Sequence, residues 1–396
     1  MKFIIERSNT PIYNRIAIAI TENLRAIGHE VYFIETDGFN TANFLNTINN
    51  INIDYYIQTN DKNFIYKKQE NSERFIFEDI KHKIIVIHHD SSFCEACSIP
   101  ETEKYLNSLK VNSDRIFHFF IEKSNKIYFE KNGILNCHLI NHASEFPFEK
   151  IEDQNYRHDL SFVGHLMSSL SAYPIDSIFA GHHLISLVWQ RVSKSEFEIQ
   201  PAIWSLINDN SLMDHLGLTK YNPLAVFQYL LQEVTKLSMA YRGEIISKIK
   251  DFEISIYGGD LSYGSINDPL MKIKQSNVQY LPATSDYQDT RSIYKSTKIN
   301  INLTSLQFDS GINNRIVDIV MSGGFVLTDK RSSLLELCPS SQLVSFGSPE
   351  EMTHQIEYYL HSSNYEKYLD IKEAIYQEMA EKFSYKTVLS NIINKL

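Results

Sequence analysis

SLQFDSGINNRIVDIVMSGGFVLTD (305–329) holds the reading that decides the fold. It follows KININLT (298–304), a continuous β-rich run. A polar, glycine-containing loop leads from this strand to a helix starting near Asn313. Gly323 and Gly324 end the helix tightly, and FVLTD begins the next strand. Strand, loop, helix and strand in this order make one unit of a parallel sheet. Unpaired N–H groups at a helix start attract anions, and the helix dipole adds to this. Arg315, in the first turn, could clamp a phosphate with two parallel hydrogen bonds. Asp318, one turn on, could accept hydrogen bonds from ribose hydroxyls. The same residues also describe an ordinary βα unit with a solvated Arg and Asp.

The alternation extends in both directions from this stretch. Upstream, KFIIE (2–6), EVYFIET (30–36), DYYIQT (54–59), KIIVIHHD (83–90), RIFHFFIE (115–122) and CHLINHA (137–143) read as strands. Ile12, Ile16, Ile20, Leu24 and Ile27 recur at helical spacing between the first two. A polar stretch, 146–158, reads as a linker before DLSFVGH (159–165). FEISIYGG (252–259), NVQYLP (277–282), GFVLTD (324–329) and QLVSF (342–346) continue the pattern, and 349–396 is almost wholly helical. The expectation is an α/β protein of two Rossmann-like, doubly wound halves facing a cleft. An N-terminal domain covers 1–150. A C-terminal domain covers 157–375 and carries a helical insertion at about 168–250. A final helical tail, 376–396, packs back on the N-terminal domain. In such sheets ligands bind beyond the carboxyl ends of the strands.

The chain has 396 residues, with 38 Lys+Arg against 48 Asp+Glu, a net charge of -10. That balance disfavours a general nucleic-acid binder, which needs a basic excess. The apolar runs at 16–20 and 84–87 fall far short of a membrane span. A cytoplasmic protein is expected, with peripheral contact at the inner face of the membrane left open. Cys94 and Cys97 form a single C-x-x-C, two ligands short of a zinc site; His88 and His89 lie nearby in sequence and could supply them, but reduced thiols are the favoured reading.

The residues IYGGD (256–260), IYKSTKININLT (293–304), GINNRIVDIVMSGGFVLTD (311–329), SPEEMTHQIEYYL (348–360) and FSYKTVLSNII (383–393) resemble the C-terminal domain of GT-B glycosyltransferases. The similarity is to the branch typified by the spore maturation protein CgeB, with a group 1-like C-terminal domain. NLRAIGHEVYFIET (23–36) and DLSFVGH (159–165) are similar to segments opening the two domains in that class. The resemblance implies transfer of a sugar from a nucleoside diphosphate sugar. The acceptor would be a hydroxyl of a glycan such as a bacterial-type cell-surface polysaccharide, of a lipid-linked sugar or of a protein. It also implies the donor-binding residues. Asn313, Asn314 and Arg315 would meet the diphosphate, and Asp318 the ribose. Gly258, Gly259 and the backbone at 281–283 would border the base, Gly164 would allow close approach, and Thr304 would join the set. No cofactor beyond the nucleotide sugar is implied.

The E-x7-E pattern of retaining relatives is absent, because the position eight residues before Asp318 is Ser310. No D-x-D triplet occurs, so no metal is expected, and diphosphate charge would fall to Arg315 and the helix dipole. An inverting transfer needs a general base. His88, His89 and Asp90 end a strand, and neighbouring side chains there face opposite ways. Asp90 or His89 is the candidate base. Weaker candidates are Asn9, Thr10, Tyr13, His142, Glu145 and the pair His182 and His183. Two other functions share this architecture: a sugar-nucleotide epimerase and a non-catalytic protein that binds a nucleotide sugar or glycan.

Overall fold

The computed structural model describes residues 1–7, 11–35, 40–60, 75–90, 98–144, 155–166, 186–187, 190, 197–258, 273, 275–284 and 286–396. In chain order the first elements are β1 (Lys2–Glu6), α1 (Pro11–Ala26), β2 (Glu30–Ile34), α2 (Thr41–Asn50), β3 (Tyr55–Thr59), β4 (Lys83–His88), α3 (Ile99–Val111), β5 (Ile116–Phe120), α4 (Lys123–Lys131) and β6 (Cys137–Leu139). Next come β7 (His158–Val163), α5 (Gln200–Ile207), α6 (Asn210–His215), α7 (Pro223–Ile246), β8 (Ile254–Tyr257), β9 (Val278–Leu281), α8 (Tyr287–Lys295) and β10 (Thr297–Asn302). The chain continues with α9 (Asn314–Met321), β11 (Val326–Asp329), α10 (Ser332–Leu337), β12 (Ser345–Phe346), α11 (Pro349–Leu360), α12 (Tyr365–Ala380) and α13 (Tyr385–Ile393).

Two compact units result. The first comprises residues 1–145, 203–232 and 384–396, and the second 146–202 and 233–383. In the first, six parallel strands lie in the order β2-β1-β3-β4-β5-β6. Their continuous apolar runs are explained by burial on both faces: Ile84, Ile85, Val86 and Ile87 of β4 are all buried. One face packs Phe3, Ile5, Ile57, Ile85 and Ile87 against Ile16, Ile20 and Leu24 of α1. Val388, Leu389 and Ile392 of α13 complete that same cluster. Each such side chain contributes about 1.5–3 kcal/mol when fully buried. Trp204 and Phe227 stack with ring centroids 4.8 Å apart, and Tyr128 of α4 packs on both.

In the second unit six parallel strands lie in the order β12-β11-β10-β7-β8-β9. The order reverses between β7 and β10, which defines the crevice where such sheets bind ligands. The helical insertion expected from sequence is represented by α5, α6 and α7. QLVSF departs from expectation. Pro339–Val344 forms a 3-10 turn, and only Ser345 and Phe346 pair with β11. A proline at the start of that segment removes a backbone donor and favours the turn over a ladder. No helix among the described residues is long and apolar enough to cross a membrane.

Candidate active site

The loop after β10 brings the decisive stretch to the carboxyl end of the second sheet. Asn313 caps α9, its side-chain oxygen accepting from the Ile316 amide at 3.1 Å. Its Nδ2 donates to Asn302 Oδ1 at 3.2 Å. The N–H groups of Asn314 and Arg315 have no partner among the described residues, the usual state of a first helical turn. Arg315 Nη1 donates to Asn302 Oδ1 at 3.0 Å and to the Leu303 carbonyl at 3.3 Å. Its guanidinium lies 5.3 Å from the Phe162 ring centroid.

A second arginine reaches the same carbonyl from α7. Arg242 Nε donates to Leu303 O at 3.2 Å, and its Nη1 to His165 O at 3.3 Å. Burial, and then the neighbouring Arg315 charge, push Arg242 down to about 9. Burial lowers Arg315 too, against the pull of Tyr294, Asp329 and Asp318. Neither arginine makes an ion pair among the described residues. Two guanidinium groups thus converge on one carbonyl, next to a helix start, with no ion-pair partner among the described residues.

The nearby carboxylates are already engaged. Asp329 Oδ1 accepts from the Thr304 amide at 2.8 Å and hydroxyl at 3.0 Å. Asp329 Oδ2 accepts from Arg331 at 2.8 and 2.5 Å, and both residues of this pair are fully buried. Arg331 Nη1 also donates to the Phe197 and Phe308 carbonyls. Asp309 takes the amides of Ile199 and Gln200 at 2.7 and 2.8 Å. Each carboxylate therefore braces the loop from beneath. Thr304 is buried, with amide and hydroxyl both spent on this brace. Asp318 is nearly buried and accepts from the Tyr287 hydroxyl at 3.4 Å.

Two glycines shape the crevice. Gly164 has φ +148, and an added Cβ would lie 2.8 Å from Arg315 Nη2. Gly258 has φ +145, and its Cβ would lie 2.3 Å from the Gly164 carbonyl oxygen. Backbone there approaches backbone and guanidinium more closely than any side chain permits.

The first unit gathers its candidates at the carboxyl ends of β3 and β4, beside the point where its strand order reverses. Asn60 has φ +63, a conformation asparagine tolerates better than most residues. Its Oδ1 accepts from the His89 amide at 2.7 Å and the Asp90 amide at 3.2 Å, and its Nδ2 donates to Asp90 Oδ2 at 3.2 Å. The Tyr13 hydroxyl donates to the same carboxylate oxygen. His89 stacks on His142, with Nδ1 atoms 3.4 Å apart. Burial pushes His89 down to about 4, partly offset by Asp90, and holds His142 well below its ordinary value. His88 turns the other way into the core. It meets His118 at 3.0 Å and stacks on Phe120.

Gly164, Gly258, Asn313, Asn314, Arg315 and Asp318 thus gather at one end of the second sheet, and Asp90, His89 and Tyr13 at the carboxyl end of the first. Gly259, Asn9, Thr10, Glu145, His182, His183, Cys94 and Cys97 lie outside the described residues. Among the described residues no three His, Cys, Asp or Glu side chains group to hold a metal. Sequence reading missed Arg242, Asn302 and Asn60. A lone arginine in the apolar run of α7 was the one available signal for the first.

Residues 242–394 match the family model described as glycosyl transferase-like. No curated protein matches the chain. Among solved structures, the β-glucosyltransferase of phage T4 in complex with UDP-glucose is similar over 100% of both chains, at 12% identity and a TM-score of 0.52. Anabaena HepE in complex with UDP and glucose matches 100% of this chain and 98% of its own, at 11% identity and a TM-score of 0.52. A glycosyltransferase from Rickettsia africae matches 99% and 96%, at 12% identity and a TM-score of 0.55. Two parallel six-stranded sheets with flanking helices, matched along their length by these enzymes, are the GT-B glycosyltransferase fold.

Proposed function

We propose that this chain transfers a sugar from a nucleoside diphosphate sugar, UDP-linked as in its neighbours' complexes, to a hydroxyl of a glycan, lipid-linked sugar or protein. Within that class we assign it to the CgeB-like branch, on the 293–329 motif. The observation that carries the proposal is the convergence of Arg242 and Arg315 on Leu303 O with no ion-pair partner among the described residues. A leaving diphosphate gains negative charge as the sugar–oxygen bond breaks. Two fixed guanidinium groups and the free N–H groups of α9 stabilise that charge without reorganising, and without a metal. Asp90, held by Tyr13 and Asn60, takes the proton from the acceptor hydroxyl as its oxygen attacks the anomeric carbon. Asn302 positions Arg315 and Asn313, and Asp318 takes the ribose hydroxyls. With a net charge of -10, a glycan suits the acceptor role better than DNA, whose phosphates would be repelled.

Calorimetric titration with UDP in the presence of EDTA tests the donor site. Arg315→Ala is expected to weaken binding ~30-fold, about 2 kcal/mol, since one charge-assisted contact is lost while Arg242 remains. Unchanged affinity would remove the diphosphate from this crevice. Asp90→Asn is expected to lower turnover ~100-fold, about 3 kcal/mol in the barrier, with UDP affinity preserved. Turnover equal to that of the parent would eliminate Asp90 as the base.

A further inference from the structure

The second sheet has another concavity at its opposite edge. The first residues of β7, β8, β9 and β10 border a cavity of about 570 Å3, within the size range of small-ligand sites. It lies at the amino ends of these strands, whereas Gly164, Gly258 and Arg315 lie at or beyond their carboxyl ends. It therefore cannot be part of the donor crevice. Strand starts and the residues immediately before them form its walls.

The lining decides what can bind. Asp159 and Lys298 pair at 2.7 Å and neutralise each other. Arg157 and Glu253 add one charge of each sign, and the Arg157 guanidinium has no partner among the described residues. The sum is zero, so neither an anion nor a cation is drawn in by net charge. An apolar ligand would strip water from these groups without replacing their hydrogen bonds, at about 1–3 kcal/mol for each group. What fits is a neutral molecule dense in donors and acceptors.

The inner wall supports that fit. His158 Nδ1 meets Ser255 Oγ at 2.9 Å, and its Nε2 meets the Tyr257 hydroxyl at 2.7 Å. Burial lowers the His158 pKa, which keeps the ring neutral and the wall uncharged near pH 7. At the rim, the Arg157 guanidinium, the Glu253 carboxylate and the Gln279 amide each offer two parallel hydrogen-bonding positions, the spacing of neighbouring hydroxyls on a sugar ring. We propose that this cavity binds a neutral saccharide. The site does not depend on the transfer reading. If that reading holds, a second grip on a glycan raises the effective concentration of its acceptor end.

Saturation-transfer NMR on the full chain tests this with neutral tetrasaccharides of glucose, mannose and xylose as probes. Transfer to at least one probe is expected, and it should persist when UDP-glucose saturates the protein. The exposed double variant Arg157→Ala with Gln279→Ala should bind that probe at least 10-fold more weakly while keeping the parent's melting curve. No transfer to any probe, transfer abolished by UDP-glucose, or undiminished binding in the double variant would each overturn the proposal. Failure of UDP binding would bear on the transfer reading alone.

Discussion

Acidification from pH 6.5 to pH 5 is expected to cost the first unit about 5 kcal/mol of stability. Four of the imidazoles in or beside its sheet are wholly or largely buried. Burial pushes His89 down to about 4 and His118 to about 3, and it holds His88 and His142 well below the ordinary 6.5. Between those values and 6.5 the unfolded chain binds protons that the folded chain refuses. Stability therefore rises with pH through this window, is complete above 6.5, and is lost as pH falls through it. One ring forfeits about 1.4 kcal/mol per pH unit, so these four over this interval contribute at most about 8 kcal/mol. His89 is only partly buried, which brings the expected loss down. Urea midpoints at the two pH values measure it. His88→Phe combined with His118→Leu removes one coupled pair from a wall already built by Phe120 and Phe129, and should abolish about half of the pH dependence. Equal midpoints at pH 6.5 and pH 5 in the parent would contradict the burial of these rings.

Gly258→Ala is expected to destabilise the second unit by about 4 kcal/mol. The new methyl would sit 2.3 Å from the Gly164 carbonyl oxygen and 2.8 Å from its carbonyl carbon. Both are backbone atoms, and Gly164 is held there by its own N–H bond to Tyr257 O at 2.9 Å. No rotamer change relieves the contact, so two strand ends must part. Displaced Gly164 would in turn unseat Arg315, and UDP affinity should fall in whatever fraction stays folded. Gly28→Ala is the comparison. Its φ of +91 is also positive, but nothing lies within 4 Å of the added carbon, so about 1 kcal/mol is expected there. Similar urea midpoints for the two variants would show that the approach of 258 to 164 does not bear on stability.

The alternation of strands and helices was legible because strands such as β4 are buried on both faces, so that residues 84–87 read as an unbroken apolar run. The loop and helix start at 311–315 were legible because capping and glycine chemistry are local. What escaped was non-local. Arg242 and Leu303 are 61 residues apart, and no spacing rule links an arginine late in a long helix to a carbonyl after a distant strand. Asn60 escaped because its φ and its hold on Asp90 depend on β4, 30 residues away. Thr304, read as the last residue of its strand, lies two residues beyond the end of β10, and its commitment to Asp329 needed the neighbouring strand in position. Alternation along β4 separated His88 from His89, as expected, but could not say that His88 would meet His118.

Because α13 completes the face of α1, the order of synthesis matters. Ile16, Ile20 and Leu24 leave the ribosome early, yet Val388, Leu389 and Ile392 that cover the same cluster are made more than 350 residues later. Until then the nascent chain carries an open apolar stripe beside a parallel sheet, the kind of surface that chaperones bind and that aggregates seed on. A chain released before residue 384 would keep that stripe permanently, and its fate would be decided by quality control rather than by any defect in its crevice.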